Sequence, residues 1–291
     1  MDRQACGTWP SYFAEYQVKL KEGKMRIGTI QRHAGMIDVC GVGKQYGNGT
    51  YAVKDVNLHI DSGEFVAIVG PSGCGKSTLL RMIAGFESIT TGEIKVETKP
   101  VTGPGPDRGV VFQDYGLFPW LTVEENIAYG PKESGYSRAE VEKLVDKYIN
   151  LVGLKLFAKK YPKELSGGMQ QRVAIARVLA NTPSVMLMDE PFGALDALTR
   201  EQLQNQLSKI QKELGITVVF VTHSIEEAVY LADRVVVMAD GAASGVAGNI
   251  KKIETIDLKG IRDNTSVEFN RYRKEISELI HGKTEKETAH V

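Results

Sequence analysis

Cysteine is scarce in this chain, with three in 291 residues. Cys6, Cys40 and Cys74 are too few and too scattered for a disulfide framework or a zinc site, which suits a reducing compartment. No excess of either charge is present: Lys plus Arg and Asp plus Glu number 36 each. No global field therefore draws the molecule to nucleic acid or to an anionic membrane surface, and no nucleic acid is expected as a partner. Also lacking is any apolar run approaching the roughly 18 residues that a spanning helix needs. The longest runs, Val218-Val219-Phe220-Val221 and Val235-Val236-Val237-Met238, have the length of strands. The first residues include Asp2 and Arg3 but no apolar stretch of secretion-signal length, so a cytoplasmic protein is expected. What is present is an apolar fraction of 42%, enough to bury a core in one large α/β domain with appendages or in two small domains.

Along the chain, residues 1–35 mix charge, glycine and isolated aromatics without a clean period and are expected as a flexible N-terminal extension. From Ile37 the pattern is strand-like, and residues 64–69 form a short apolar run that ends directly in a glycine-rich turn. Residues 77–84 then read as a helix with Leu79, Leu80 and Ile83 on one face. Residues 123–156 read as helical: 124–128 briefly, and 139–152 with Val141, Leu144, Val145, Tyr148 and Ile149 at helical spacing. Strand patterns return at 185–188, 217–221 and 234–238, separated by helices at 197–214 and 225–232. Strands alternating with helices predict an α/β class and a mainly parallel sheet. Residues 241–248 are small and glycine-rich, a linker by composition. After them, 266–280 place Phe269, Tyr272, Ile276, Leu279 and Ile280 on one helical face, which is expected to dock.

Two motifs carry chemistry. Gly70-Pro71-Ser72-Gly73-Cys74-Gly75-Lys76-Ser77-Thr78 follows a predicted strand and opens a predicted helix, the setting in which backbone N–H groups and a helix N-terminus converge on phosphate oxygens. Lys76 would reach the β- and γ-phosphates of ATP, Ser77 would ligate Mg²⁺ and Thr78 would reach the α-phosphate. By itself this loop would serve a kinase or a GTPase equally well. Val185-Met186-Leu187-Met188-Asp189-Glu190 is an apolar strand ending in two carboxylates that alternation aims differently. Asp189 is expected to hold Mg²⁺ and Glu190 to act as general base, although such an ending is also common in a solvated turn. Cys74 inside the loop suggests that bulky thiol reagents inhibit and that bound ATP protects.

Leu165-Ser166-Gly167-Gly168-Met169-Gln170-Gln171-Arg172 resembles the signature loop of ATP-binding cassette ATPases, and the resemblance spans residues 36–239. It implies a P-loop NTPase core with an N-terminal antiparallel β region and a signature-containing helical subdomain at about 115–180. The ATPase domain would then cover 36–240, followed by a linker and C-terminal helix in 241–291. It further implies a homodimer in which Ser166, Gly167, Gly168 and Gln170 cover the γ-phosphate bound to the partner. The same residues also suit a plain capped helix start. By the same resemblance Tyr46 stacks on adenine, Gln113 contacts Mg²⁺ and the attacking water, His223 bonds the γ-phosphate, and Asp196 couples the two sites at the dimer seam. Three of the four have a simpler alternative: packing for Tyr46, a solvent-facing side chain for Gln113, a helix cap for Asp196.

The apolar segment Tyr115-Gly116-Leu117-Phe118-Pro119-Trp120-Leu121 beside Gln113 reads either as a docking surface for a membrane subunit or as ordinary core. Residues 113–120 and 191–200 look most like the nitrate, sulfonate and taurine uptake group of that family. Residues 242–248, however, lack the proline- and arginine-containing stretch that follows the last strand there. The expected function is thus the ATP-hydrolysing subunit of an importer on the cytoplasmic face of the membrane. Its expected partners are integral membrane permease subunits and, indirectly, an extracytoplasmic solute-binding protein. The alternatives are a soluble cassette ATPase or the motor of an exporter.

Overall fold

The computed structural model describes residues 34–281 except 48, 242–244 and 259–261. Among the described residues ten strands form one sheet in the order β5-β4-β1-β2-β10-β9-β3-β8-β7-β6. Its centre is parallel: β3 (Phe65–Val69) lies between β8 (Thr217–Val221) and β9 (Arg234–Gly241), and β7 (Val185–Asp189) lies between β8 and β6 (Arg108–Val111). Residues 65–69, 185–188, 218–221 and 235–238 of β3, β7, β8 and β9 are continuous apolar runs because both faces of the sheet are covered there, whereas β6 carries Arg108 and Gly109. Alternation then sends Phe65, Ala67 and Val69 into one core and Val66 and Ile68 into the other, and β7 and β8 divide in the same way.

The other half of the sheet is antiparallel, with β1 (Ile37–Gln45) between β2 (Tyr51–Ile60) and β4 (Thr91–Val96), and β5 (Lys99–Pro100) at the edge. Along β2, buried Val56, Leu58 and Ile60 alternate with exposed Asn57 and His59, as expected of a sheet with one wet face. This is the mixed sheet that the resemblance implied. The chain enters it before residue 36: Gly35 donates to Ser184 O at 3.1 Å and accepts from Thr217 Oγ1 at 2.7 Å. The rest of the expected N-terminal extension, residues 1–33, lies outside the described residues.

Helix α1 (Lys76–Ala84) covers one face of the parallel half. On the other face pack α2 (Val123–Glu133), α3 (Arg138–Leu151), α4 (Gly167–Ala180), α5 (Ala197–Leu214), α6 (Ile225–Leu231) and α7 (Val267–His281). Helices α2 and α3 each begin with a capping box, Thr122 with Glu125 and Ser137 with Glu140, which satisfies orphan donors at both helix starts. Helix α2 runs past the expected end at residue 128. Pro131 lies inside its last turn, where a proline removes one backbone bond without stopping the helix.

The linker expected at 241–248 is a correction. Chain leaving β9 returns as β10 (Val246–Thr255), antiparallel to β9 from Val246 opposite Gly241 to Thr255 opposite Arg234, and Gly248 bridges to Val53 of β2. Two of its glycines serve close packing: a Cβ built on Gly248 would lie 1.9 Å from Cys74 O, and one on Gly241 2.3 Å from Gly73 O. The expected helix after the hairpin docks through buried Phe269, Tyr272 and Ile276.

Candidate nucleotide-hydrolysis site

Strand β3 delivers the glycine-rich loop at its carboxyl end, and Gly75 caps α1 with φ 98°. A side chain there is excluded twice, by that conformation and because its Cβ would meet Val53 Cγ1 at 2.2 Å. Lys76, only 4% exposed, donates from Nζ to Gly70 O at 2.9 Å and to Pro71 O at 3.0 Å, so its ammonium is folded across the loop. Ser72 and Gly73 are exposed at the tip, and Thr78 is partly buried in α1. Cys74 is fully buried, and burial pushes its thiol above the ordinary range. That corrects the expectation of a reactive loop cysteine, since the thiolate is the attacking species.

The end of β7 lies beside α1. Ser77 Oγ donates to Asp189 Oδ1 at 2.9 Å, and burial raises the Asp189 carboxyl above its usual range, with the Ser77 bond and the Arg81 charge opposing. A hydroxyl and a desolvated carboxylate joined in this way are a donor set suited to Mg²⁺. The next residue turns sharply: Glu190 has φ 47°, with its N–H bound to Val221 O at 2.9 Å. Its carboxylate Oε1 lies 2.7 Å from Nε2 of the half-exposed His223. Thus the ends of β3, β7 and β8 bring Lys76, Ser77, Asp189, Glu190 and His223 to one rim of the sheet.

Gln113 follows β6 as an exposed side chain whose Nε2 lies 3.7 Å from the position a Cβ on Gly193 would take, beside the turn after Glu190. Tyr46 lies in the β1–β2 turn, 45% exposed, with Lys44 Nζ 5.2 Å from its ring centroid. Lys44 itself is anchored to Glu87 at 2.6 Å.

The signature residues stand apart. Among the described residues, no hydrogen bond or ion pair joins Ser166, Gly167, Gly168 or Gln170 to the phosphate loop. Ser166 caps α4 by accepting from Met169 N at 3.3 Å, and Gln170 Nε2 donates to Leu165 O at 3.1 Å. A Cβ on Gly168 would meet Thr199 Cγ2 at 2.4 Å, so close packing against α5 demands a glycine there. Asp196 caps α5 through Thr199 N at 3.0 Å, and this bond holds its carboxyl below the usual range. The segment 115–121 divides between its two readings. Leu117 and Phe118 are core, Phe118 packing 4.5 Å from Tyr129, while Trp120 is 64% exposed.

Sequence reasoning missed Thr222, Glu227 and Arg200. Thr222 Oγ1 donates to Glu227 Oε2 at 2.5 Å and Arg200 Nε lies 3.5 Å from Glu227 Oε1. The one signal in the sequence was Ser224-Ile225-Glu226-Glu227, a helix-capping spacing, and Ser224 Oγ does accept from Glu227 N at 3.2 Å.

Comparison with known proteins fits this geometry. The family model described as ABC transporter matches residues 53–193. An uncharacterised ABC transporter ATP-binding protein of Methanocaldococcus jannaschii is 52% identical over 234 residues, 80% of this chain and 86% of that protein. The nitrate import ATP-binding protein NrtD of a Synechocystis species is 47% identical over 256 residues, covering 85% and 94%. Among solved structures, a dimeric ATP-binding cassette in a post-hydrolysis state bound to ADP and Pi matches with TM-score 0.65 and 36% identity, over 76% of this chain and 98% of that one. The chain therefore belongs to the ABC transporter family and is an ATP-hydrolysing, nucleotide-binding cassette of it.

Proposed function

We propose that this chain is the ATPase subunit that powers import of a small anion of the nitrate class, seated on the cytoplasmic face of the membrane against permease subunits. No helix among the described residues is long and apolar enough to cross a membrane, and in this reading permease subunits form the pathway for solute. The nitrate import relative supports import over an export motor or a soluble ATPase. The observation that carries the chemistry is the Glu190–His223 pair, 2.7 Å apart, on the same rim as the Ser77–Asp189 pair.

In this reading residues 36–240 form the ATPase domain. Backbone N–H groups of residues 72–78 cradle the phosphates, Lys76 exchanges its loop carbonyls for β- and γ-phosphate oxygens, and Tyr46 stacks on adenine. Ser77, Asp189 and Gln113 hold Mg²⁺, which when bound offsets charge on the phosphates. Glu190 takes the proton of the attacking water, and His223 keeps its carboxylate oriented while bonding the γ-phosphate. Two copies pair head to tail, so that Ser166, Gly167, Gly168 and Gln170 of one copy cover the γ-phosphate on the other, with Asp196 at the seam. Closure moves the permease through residues 115–121, and a solute-binding protein delivers cargo from the far side.

Glu190→Gln should bind ATP normally, accumulate as a dimer with ATP and lose turnover by at least about 100-fold. Brisk hydrolysis by that variant would remove Glu190 from the role of base. For the import claim, the complex reconstituted with its permease and binding protein should hydrolyse ATP faster with one member of a panel of nitrate, bicarbonate and alkyl sulfonates. No response across the panel would reject the proposed cargo class.

A further inference from the structure

Glu227 is 6% exposed and carries a carboxylate inside the protein between α5 and α6, where no phosphate or metal role reaches it. Such a group is tolerated only when it is paired. Its partners lead in two directions. Toward β8, Thr222 Oγ1 donates to it at 2.5 Å and accepts from Ser224 N at 3.0 Å, so the two residues flanking His223 are pinned by one hydroxyl. Toward α5, Arg200 Nε faces it at 3.5 Å, and Arg200 Nη2 donates to Leu195 O at 2.8 Å, immediately before Asp196. Burial pushes the Glu227 carboxyl up while the Thr222 bond and the Arg200 charge oppose it.

We infer that Glu227 is a positioning residue for hydrolysis: through Thr222 and Arg200 it ties the turn that presents His223 to the 195–196 segment that enters α5. The inference rests on the roles proposed above for Glu190 and His223. Loosening the tie leaves the phosphate loop untouched, because none of Lys76, Ser77 or Asp189 bonds to this group. What it disturbs is the approach of His223 Nε2 to Glu190 Oε1, which matters after ATP is bound.

The full-length chain would be prepared as Glu227→Ala, Arg200→Gln, the double variant Glu227→Ala/Arg200→Gln, Glu227→Gln and His223→Ala. Each would be assayed for kcat, KM for ATP, fluorescent ATP-analogue affinity and Tm. Glu227→Ala and Arg200→Gln should each lower kcat by about tenfold or more with nucleotide affinity within about twofold of the parent. The double variant should be no slower than Glu227→Ala, because both break one link, and Glu227→Gln, which keeps an acceptor for Thr222, should recover part of the rate. Unchanged kcat in the folded single variants would overturn the inference, as would losses that multiply in the double variant or fall in step with nucleotide affinity and Tm. Full turnover by His223→Ala would instead overturn the reading of the site on which the inference stands.

Discussion

At the scale of single residues, Asp189 and Glu190 are neighbours held in opposite ways. Asp189 ends a buried strand, and its carboxyl is raised by desolvation. A folded-state value above the unfolded one means that its stability contribution is present at low pH and is lost as pH rises through the raised value. Ionised Asp189 therefore burdens the nucleotide-free protein at neutral pH, and a bound cation would relieve it. Asp189→Asn should raise Tm in EDTA while lowering ATP turnover by at least about 100-fold; a lower Tm in EDTA would contradict the burial argument. Glu190, with φ 47°, stores strain on the order of 1–3 kcal/mol that its bond to Val221 O holds in place. Cys74 reverses the expectation drawn from its place in the loop. Mass spectrometry after brief maleimide treatment should find Cys40, which is exposed, labelled well before buried Cys74, and early labelling of Cys74 would refute this. Lys76, Ser77, Asp189 and Glu190 were legible because their chemistry lies in two contiguous strings placed at strand ends. Arg200, Thr222 and Glu227 were not, because their meeting depends on how α5 and α6 pack.

At the scale of elements, the β9–β10 hairpin shows why composition misleads. Glycine and alanine over residues 241–248 suit a loose connection by composition, yet Gly241 and Gly248 lie with their backbone against the backbone of the phosphate loop, where no side chain fits. Gly248→Ala has nowhere to place its methyl except against Cys74 O, and backbone cannot yield as a flexible side chain can. Overpacking of this kind typically costs about 1–3 kcal/mol. Part of it should appear at the loop, weakening ATP affinity by about tenfold, an effect worth roughly 1.4 kcal/mol. Val246→Ala, at an exposed position on the same hairpin, should leave affinity unchanged. Equal, unaltered titrations for both variants would show that the hairpin does not set the loop. Helix α5 poses a similar choice at Asp196, whose carboxylate caps it through Thr199 N. Serine caps almost as well, so Asp196→Ser should keep Tm within a few degrees, whereas an uncapped alanine costs about 1 kcal/mol. If Asp196→Ser retained full cooperative turnover, the cap would be its whole role. Four of the parallel strands, by contrast, were legible from sequence, because burial on both faces makes the centres of β3, β7, β8 and β9 continuous apolar runs; β6, with Arg108 and Gly109, is not such a run.

At the scale of the whole molecule, the proposed function makes one chain the bearer of two half-sites. Its phosphate loop lies at the carboxyl end of β3, and its signature residues cap α4 with no bond between the two groups among the described residues. In that proposal a head-to-tail pair of copies would supply what each half lacks, and complementation distinguishes that arrangement from a site completed within one chain. Lys76→Ala removes the phosphate-binding ammonium but leaves Ser166 intact. Ser166→Asp leaves the loop intact and keeps a good cap for α4, since aspartate also accepts from the third N–H of a helix, but it aims a negative charge at the anion across the seam. Each variant alone should hydrolyse ATP at a small fraction of the parental rate. Mixed in equal amounts, half of the pairs are mixed, and one of the two sites in a mixed pair combines an intact loop with an intact Ser166. The mixture should therefore recover up to about a quarter of the parental rate if sites fire independently, and less if both must be competent. Recovery should also require protein concentrations at which pairs form. A mixture no faster than the mean of its two components, at concentrations where ATP demonstrably pairs the parent, would exclude shared sites that fire independently.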